Sequence, residues 1–204
     1  YPLSHIDDHL GEIALCILSA VNVGKIRSDE ELEELCDLSV RGLEELIDYQ
    51  EYPVKAAELA TKARRSLGVG FIGLAHYLAK LGYKYDSQEA WDAVHGLSES
   101  FQYYLIKSSN EIAKEKGWCE NFGRTKYSDG ILPIDTYKKD VDEICSQPLQ
   151  HDWESLRASI LEHGLRHSTL SAQMPSESSS VVSNATNGIE PPRGYLSIKK
   201  SKKG

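Results

Sequence analysis

The chain has 204 residues, 40% hydrophobic and 26% charged, which is enough to bury one substantial core, and we read it as a single domain. Acidic residues outnumber basic ones 31 to 23, for a net charge of -8, which argues against broad nucleic-acid binding. No apolar run approaches the roughly 20 residues that span a bilayer, no secretory leader is readable, and four scattered cysteines show neither disulfide-scaffold nor zinc spacing, so a soluble protein of the reducing cytoplasm is expected.

Residues 12–23 form an almost continuous apolar run, with Ile13, Leu15, Ile17 and Val21 on one parity and Ala14, Cys16, Leu18 and Ala20 on the other. The run predicts a strand buried on both faces, as in a parallel α/β sheet. The face with Cys16 is mostly small, so a second layer or a ligand can approach it closely, although a lone cysteine there also fits an ordinary core position. Ser28 before Asp29, Glu30 and Glu31 forms a capping box and puts negative charge at a helix start. Leu32, Leu35, Cys36, Leu43, Leu46 and Ile47 then supply one core-facing stripe to about Asp48.

Pro53 closes the connection, and helices are expected over 56–65 and 71–80, the second ended by Gly82. Ser87 opens the longest pattern, through Trp91, Val94, Leu97, Phe101, Tyr104, Leu105 and Ile112 to a stop at Gly117. Residues 118–134 read as a loop, 135–145 and 152–163 as helices, 166–173 as a short strand, and the serines after Pro175 as the start of one more helix. This order predicts an α/β or α+β fold with large helical insertions.

Gly68, Gly70 and Gly73 match the spacing of a dinucleotide fingerprint, but the preceding 58–66 segment reads as a helix where that fingerprint needs a strand, and close helix packing accounts for the glycines. His5 and His9 have i,i+4 spacing without a third ligand or an apolar stripe, and His163 and His167 are separated by Gly164; no metal site is expected. His76, His95 and His151 have no partner at catalytic spacing. The turn Pro175, Ser176, Glu177, Ser178 and Ser179 is more specific. Hydroxyls and free amides at a helix start suit a phosphate or diphosphate, and they equally suit a plain helix cap. The following 184–193 segment, with Gly188, Pro191 and Pro192, demands a fixed irregular backbone.

These residues carry a resemblance. Residues 174–195 (MPSESSSVVSNATNGIEPPRGY) closely resemble the segment that holds the substrate diphosphate in large (α) subunits of class I ribonucleotide reductases, and residues 11–20 (GEIALCILSA) resemble the strand bearing one of that family's two redox cysteines. Residues 127–140 (YSDGILPIDTYKKD) and 48–53 (DYQEYP) match as well, in the same order along essentially the whole chain.

The resemblance implies part of the second half of a ten-stranded α/β barrel, and the reduction of ribonucleoside diphosphates to 2′-deoxyribonucleoside diphosphates by thiyl-radical and dithiol chemistry. It makes Cys16 one member of the redox pair and Pro175, Ser176, Glu177, Ser178 and Ser179 the diphosphate loop; Ser178 stands where the family often has Thr. It implies as partners the remaining portion of the large subunit, a radical-generating, metal-containing small (β) subunit, and thioredoxin or glutaredoxin as reductant. No cofactor is expected on this portion, and nucleotide effectors bind elsewhere in the whole enzyme.

The family's second redox cysteine, its thiyl-radical loop, its relay tyrosines and its C-terminal cysteine pair have no counterpart here. With Tyr1 at the front and an unfinished 195–204 segment at the end, the chain reads as a portion of a longer one, inactive alone. The competing reading is a non-catalytic phosphate-binding or assembly module that has kept the fold.

Overall fold

The computed structural model describes residues 11–145, 147–194 and 196. His5, His9 and most of the final segment therefore lie outside the described residues. Two parallel strands, β1 (Ile17–Asn22) and β2 (Leu67–Ile72), pair in the register Ile17 with Leu67 through Asn22 with Ile72. Between them run α1 (Asp29–Tyr49) and α2 (Lys55–Arg64). After β2 come α3 (Leu74–Leu81), the long α4 (Gln88–Lys116), the four-residue α5 (Pro133–Thr136), α6 (Trp153–His163) and α7 (Glu177–Val182). A parallel pair joined through helices is an α/β arrangement.

Caps set the three best-defined helix starts. Ser28 Oγ accepts from Glu31 N–H, Ser87 Oγ from Ala90 N–H, and Asp152 Oδ1 from Ser155 N–H, so one otherwise unmet amide is satisfied at each end. α1 buries Leu32, Cys36, Val40, Leu43, Glu44 and Ile47. Leu46, predicted on that stripe, is outward and 46% exposed, while a carboxylate, Glu44, is inside. α1 packs on α4 with ion pairs across the seam, Arg41 to Glu115 at 2.8 Å and Lys107 to Glu33 at 2.5 Å. Val21, Leu67, Val69 and Phe71 join this core from one face of the sheet.

Several expectations change. The strand predicted over 12–23 is regular only from Ile17, and it is not buried on both sides: Cys16 and Leu18 on the small face are exposed, since no described element covers them. The glycines at 68 and 70 lie inside β2, with Leu67, Val69 and Phe71 alternating into the core, so helix packing does not explain them and the following helix starts at Leu74 rather than 71. The helix predicted over 135–145 is only α5 and a 3₁₀ turn, Lys139–Glu143. That segment has no apolar stripe to bury, and the Asp135 carboxylate instead accepts from Leu132 N–H and from Arg157. The loop predicted over 118–134 contains two 3₁₀ turns and the first residues of α5.

The strand predicted over 166–173 is an extended run beside β2. It pairs in parallel by one bridge, Val69 with Ser171, and Val69 N–H donates to Leu170 O at 2.8 Å while Ala172 N–H donates to Val69 O at 3.1 Å.

Candidate functional site

The glycines of β2 let this third run lie close. A Cβ on Gly68 would stand 2.6 Å from Leu18 Cδ2, 2.9 Å from Cys16 Sγ and 3.1 Å from Ala172 Cβ, and one on Gly70 would meet the Ala172 carbonyl oxygen and the Met174 thioether. Cys16, Leu18, Gly68, Gly70, Ala172 and Met174 thus share one face, opposite the core. Two in-strand glycines held this tightly cannot form the turn of a dinucleotide fingerprint.

The chain leaves this face at Met174 and enters the serine turn. Ser176 is buried and occupies the cap position of α7, yet its hydroxyl donates to Met174 O at 3.2 Å instead of accepting from the helix. Ser180 N–H, bonded to Ser176 O at 2.9 Å, is the first amide of the helix ladder. The amides of Ser178 and Ser179, in the first turn, therefore have no helix carbonyl behind them, and both side chains are exposed. An anion fits such an end. Pro175 and Glu177 flank it and are exposed.

The 184–188 loop fastens this turn to the carboxyl ends of the strands. Ser176 N–H donates to Asn187 Oδ1 at 3.1 Å, Gly73 N–H to Thr186 O at 2.9 Å, and Asn22 Nδ2 to Ser183 O at 3.3 Å. Asn184 (φ 49) and Gly188 (φ 58) take left-handed conformations, as the irregular backbone predicted there requires. Asn22 Oδ1 and Thr186 Oγ1 are buried here with no hydrogen-bond partner among the described residues. Sequence reasoning passed over both; the signal was an asparagine closing an apolar strand. Ligands in open α/β sheets commonly bind outside these carboxyl ends.

Cys16, one residue before the Ile17–Leu67 pair, and the serine turn, which follows Met174 beyond the Val69–Ser171 bridge, lie toward opposite ends of this face. A 770 Å³ cavity reaches Ala14, on the Cys16 parity, and is lined by Arg64, Ser66, Arg124, Lys126 and Tyr127.

Cys16 is the exposed thiol among four free cysteines; Cys36, Cys119 and Cys145 are buried. Desolvation raises the Cys16 thiol above its ordinary value and pushes Cys36 up to about 12. Cys145, predicted at a helix end, lies beyond a 3₁₀ turn and donates to Asp92 Oδ1 at 3.2 Å. Among the described residues no group of three or more His, Cys, Asp or Glu is placed to hold a metal, and no helix is long and apolar enough to cross a membrane.

Beneath the start of β2 lies a buried polar cluster. Glu44 accepts from Arg65 Nε at 2.7 Å and Arg166 Nε at 2.7 Å, and pairs with His167 Nε2 at 3.0 Å; Ser109 Oγ lies 2.9 Å from His167 Nδ1. Serine, histidine and carboxylate make a catalytic-looking line, but His167 is 0% exposed and no substrate can reach it. Arg65, in a left-handed conformation (φ 48), reaches Asp48 as well, so the cluster pins the β2 end to α1.

The chain matches the family model for the ribonucleotide reductase barrel domain over residues 4–204. It is 61% identical over its whole length to the ribonucleoside-diphosphate reductase subunit alpha of Haemophilus influenzae, covering 27% of that protein. It is 60% identical over 78% of its length to ribonucleoside-diphosphate reductase 1 subunit alpha of Escherichia coli, covering 21% of it. It is 46% identical over its whole length to the subunit alpha of Enterobacteria phage T4, covering 27% of it. The chain thus spans about a quarter of the length of the curated relatives it matches.

Proposed function

The chain belongs to the ribonucleotide reductase barrel-domain family, and on that premise we propose that it supplies part of the second half of a ten-stranded α/β barrel that reduces ribonucleoside diphosphates to 2′-deoxyribonucleoside diphosphates. Cys16 is the proposed redox thiol. Each turnover removes the 2′ hydroxyl as water and takes two electrons from a pair of thiols, which close into a disulfide; Cys16 faces its partner from the remaining portion of the subunit. Pro175, Ser176, Glu177, Ser178 and Ser179 receive the diphosphate, with the Ser178 and Ser179 amides as principal donors.

The observation that carries this reading is the small-residue side of the parallel sheet, opposite the core: it bears an exposed thiol, and the run that shares it leads through Met174 into an uncapped helix start. The exposure of Leu18 beside Cys16 fits a face completed by the remaining portion. The small (β) subunit supplies the radical, and thioredoxin or glutaredoxin reopens the disulfide in a cytoplasmic setting. No cofactor is assigned to this portion.

The test is turnover of a ribonucleoside diphosphate with the small subunit and a dithiol. The chain alone should give none, and addition of the remaining portion of the large subunit should restore it. Diphosphate binding without turnover in the recombined protein would favour the non-catalytic module instead.

A further inference from the structure

A second cavity, of 1090 Å³, lies on the other side of the sheet, between the core-facing side of β2 at Val69 and Phe71 and a wall of α4 formed by Trp91, His95 and Ser98. Its volume and its mostly apolar, aromatic lining are those of a small-molecule site. Glu99 borders it and is 8% exposed. The two oxygens of this carboxylate are used unequally. Oε1 accepts from Gln150 N–H at 2.8 Å, His151 N–H at 3.1 Å and Trp153 Nε1 at 3.1 Å, whereas Oε2 is buried with no partner among the described residues. His95 Nδ1, one turn earlier on the same wall, is also buried without a partner. A buried carboxylate oxygen left unmet bears its full desolvation cost, and turning the group to satisfy Oε2 would break the bonds that hold the 150–153 loop.

We propose that this cavity is a binding site for a flat aromatic ligand carrying an amidine or amine, whose N–H group meets Glu99 Oε2 while its ring packs among the apolar and aromatic lining. The arrangement disfavours an anion beside Glu99. Lys139 does not reverse this, because its ammonium lies over the Tyr137 ring, 3.9 Å from the centroid. Val69 and Phe71 line the cavity from the face of β2 opposite Cys16, and the 171–173 run, which borders both faces, closes one side of it.

The test titrates the 204-residue chain with benzamidine, benzyl alcohol and benzoate, read by calorimetry and by tryptophan fluorescence, since Trp91 and Trp153 both line the cavity. Benzamidine should bind at least tenfold more tightly than benzyl alcohol, and benzoate more weakly than either. Glu99→Gln should bring benzamidine and benzyl alcohol within about twofold of each other. Val94→Trp, which fills the cavity from a residue outside the loop contacts, should abolish benzamidine binding and serves if Glu99→Gln does not fold. Equal binding of benzamidine and benzyl alcohol to the unmodified chain, or undiminished benzamidine binding by the folded variants, would overturn the proposal.

Discussion

Cys16 Sγ lies over Gly68, so close that a side chain begun at that glycine would stand 2.9 Å away. Gly68→Ala must displace Leu18 and Cys16, which are exposed and can move, and press on Ala172. A loss of about 1–3 kcal/mol is expected, as for overpacking in general. Gly70→Ala should cost more, because its methyl meets the Ala172 carbonyl, which is backbone and cannot yield. Urea unfolding of both variants checks the order; a Gly70→Ala protein as stable as Gly68→Ala would contradict the close approach of the 171–174 run.

Thiol labelling reports the environment of the same cysteine. In the folded chain one thiol should react rapidly with an aromatic disulfide reagent and three more only on unfolding, since Cys36, Cys119 and Cys145 are buried. The fast phase should vanish in Cys16→Ser. Because desolvation raises its pKa, the Cys16 rate should increase with pH beyond neutrality. A fast phase that survives Cys16→Ser would place another thiol on the surface.

The Glu44 cluster makes the fold sensitive to acid. Burial lowers the His167 pKa below its ordinary 6.5, so the unfolded chain takes up a proton there that the folded one refuses, and stability falls as pH drops below about 6.5. For Glu44 burial acts upward, but bonds from His167, Arg65 and Arg166 outweigh it and hold the carboxyl far below its ordinary 4.5, so a second loss sets in as pH falls below that value. His167→Gln should flatten the stability profile just below pH 6.5 while leaving the loss below 4.5 in place. Glu44→Ala takes a carboxylate from the buried Arg65, which keeps Asp48, and from the half-buried Arg166, and should cost about 3 kcal/mol at pH 7. Denaturant midpoints across pH measure both; an unchanged slope in His167→Gln would remove the histidine from this account.

At the serine turn the backbone carries most of the expected binding. Ser178→Ala leaves the amides in place and should weaken diphosphate binding by the recombined protein by roughly tenfold, about 1.4 kcal/mol. Ser178→Pro removes an amide donor as well and should weaken it further. The affinity for a nucleoside diphosphate relative to the bare nucleoside gives the answer, and a preference unchanged in both variants would reduce the turn to a helix end.

Legibility followed the range of the interactions. α1, α4 and α6 were readable because Ser28, Ser87 and Asp152 cap them within three residues. β2 was hidden by Gly68 and Gly70, although Leu67, Val69 and Phe71 keep the alternation of a strand. The 135–145 helix failed because the segment has no stripe to bury and Asp135 is held instead by Leu132 N–H and by the distant Arg157. Glu44 with His167 was invisible, as the two lie 123 residues apart in sequence. The serine turn was recognisable by resemblance, but the redirected Ser176 hydroxyl, which leaves the turn uncapped, is a property of the folded chain alone.

The most direct test of Cys16 as the redox thiol is a single turnover. The recombined large subunit, prereduced and freed of external thiol, is allowed one round with a ribonucleoside diphosphate and the small subunit, then alkylated and mapped by mass spectrometry. Cys16 should then be recovered in a disulfide with a cysteine of the remaining portion, in proportion to product formed. Product formed with Cys16 still free and alkylated would contradict it.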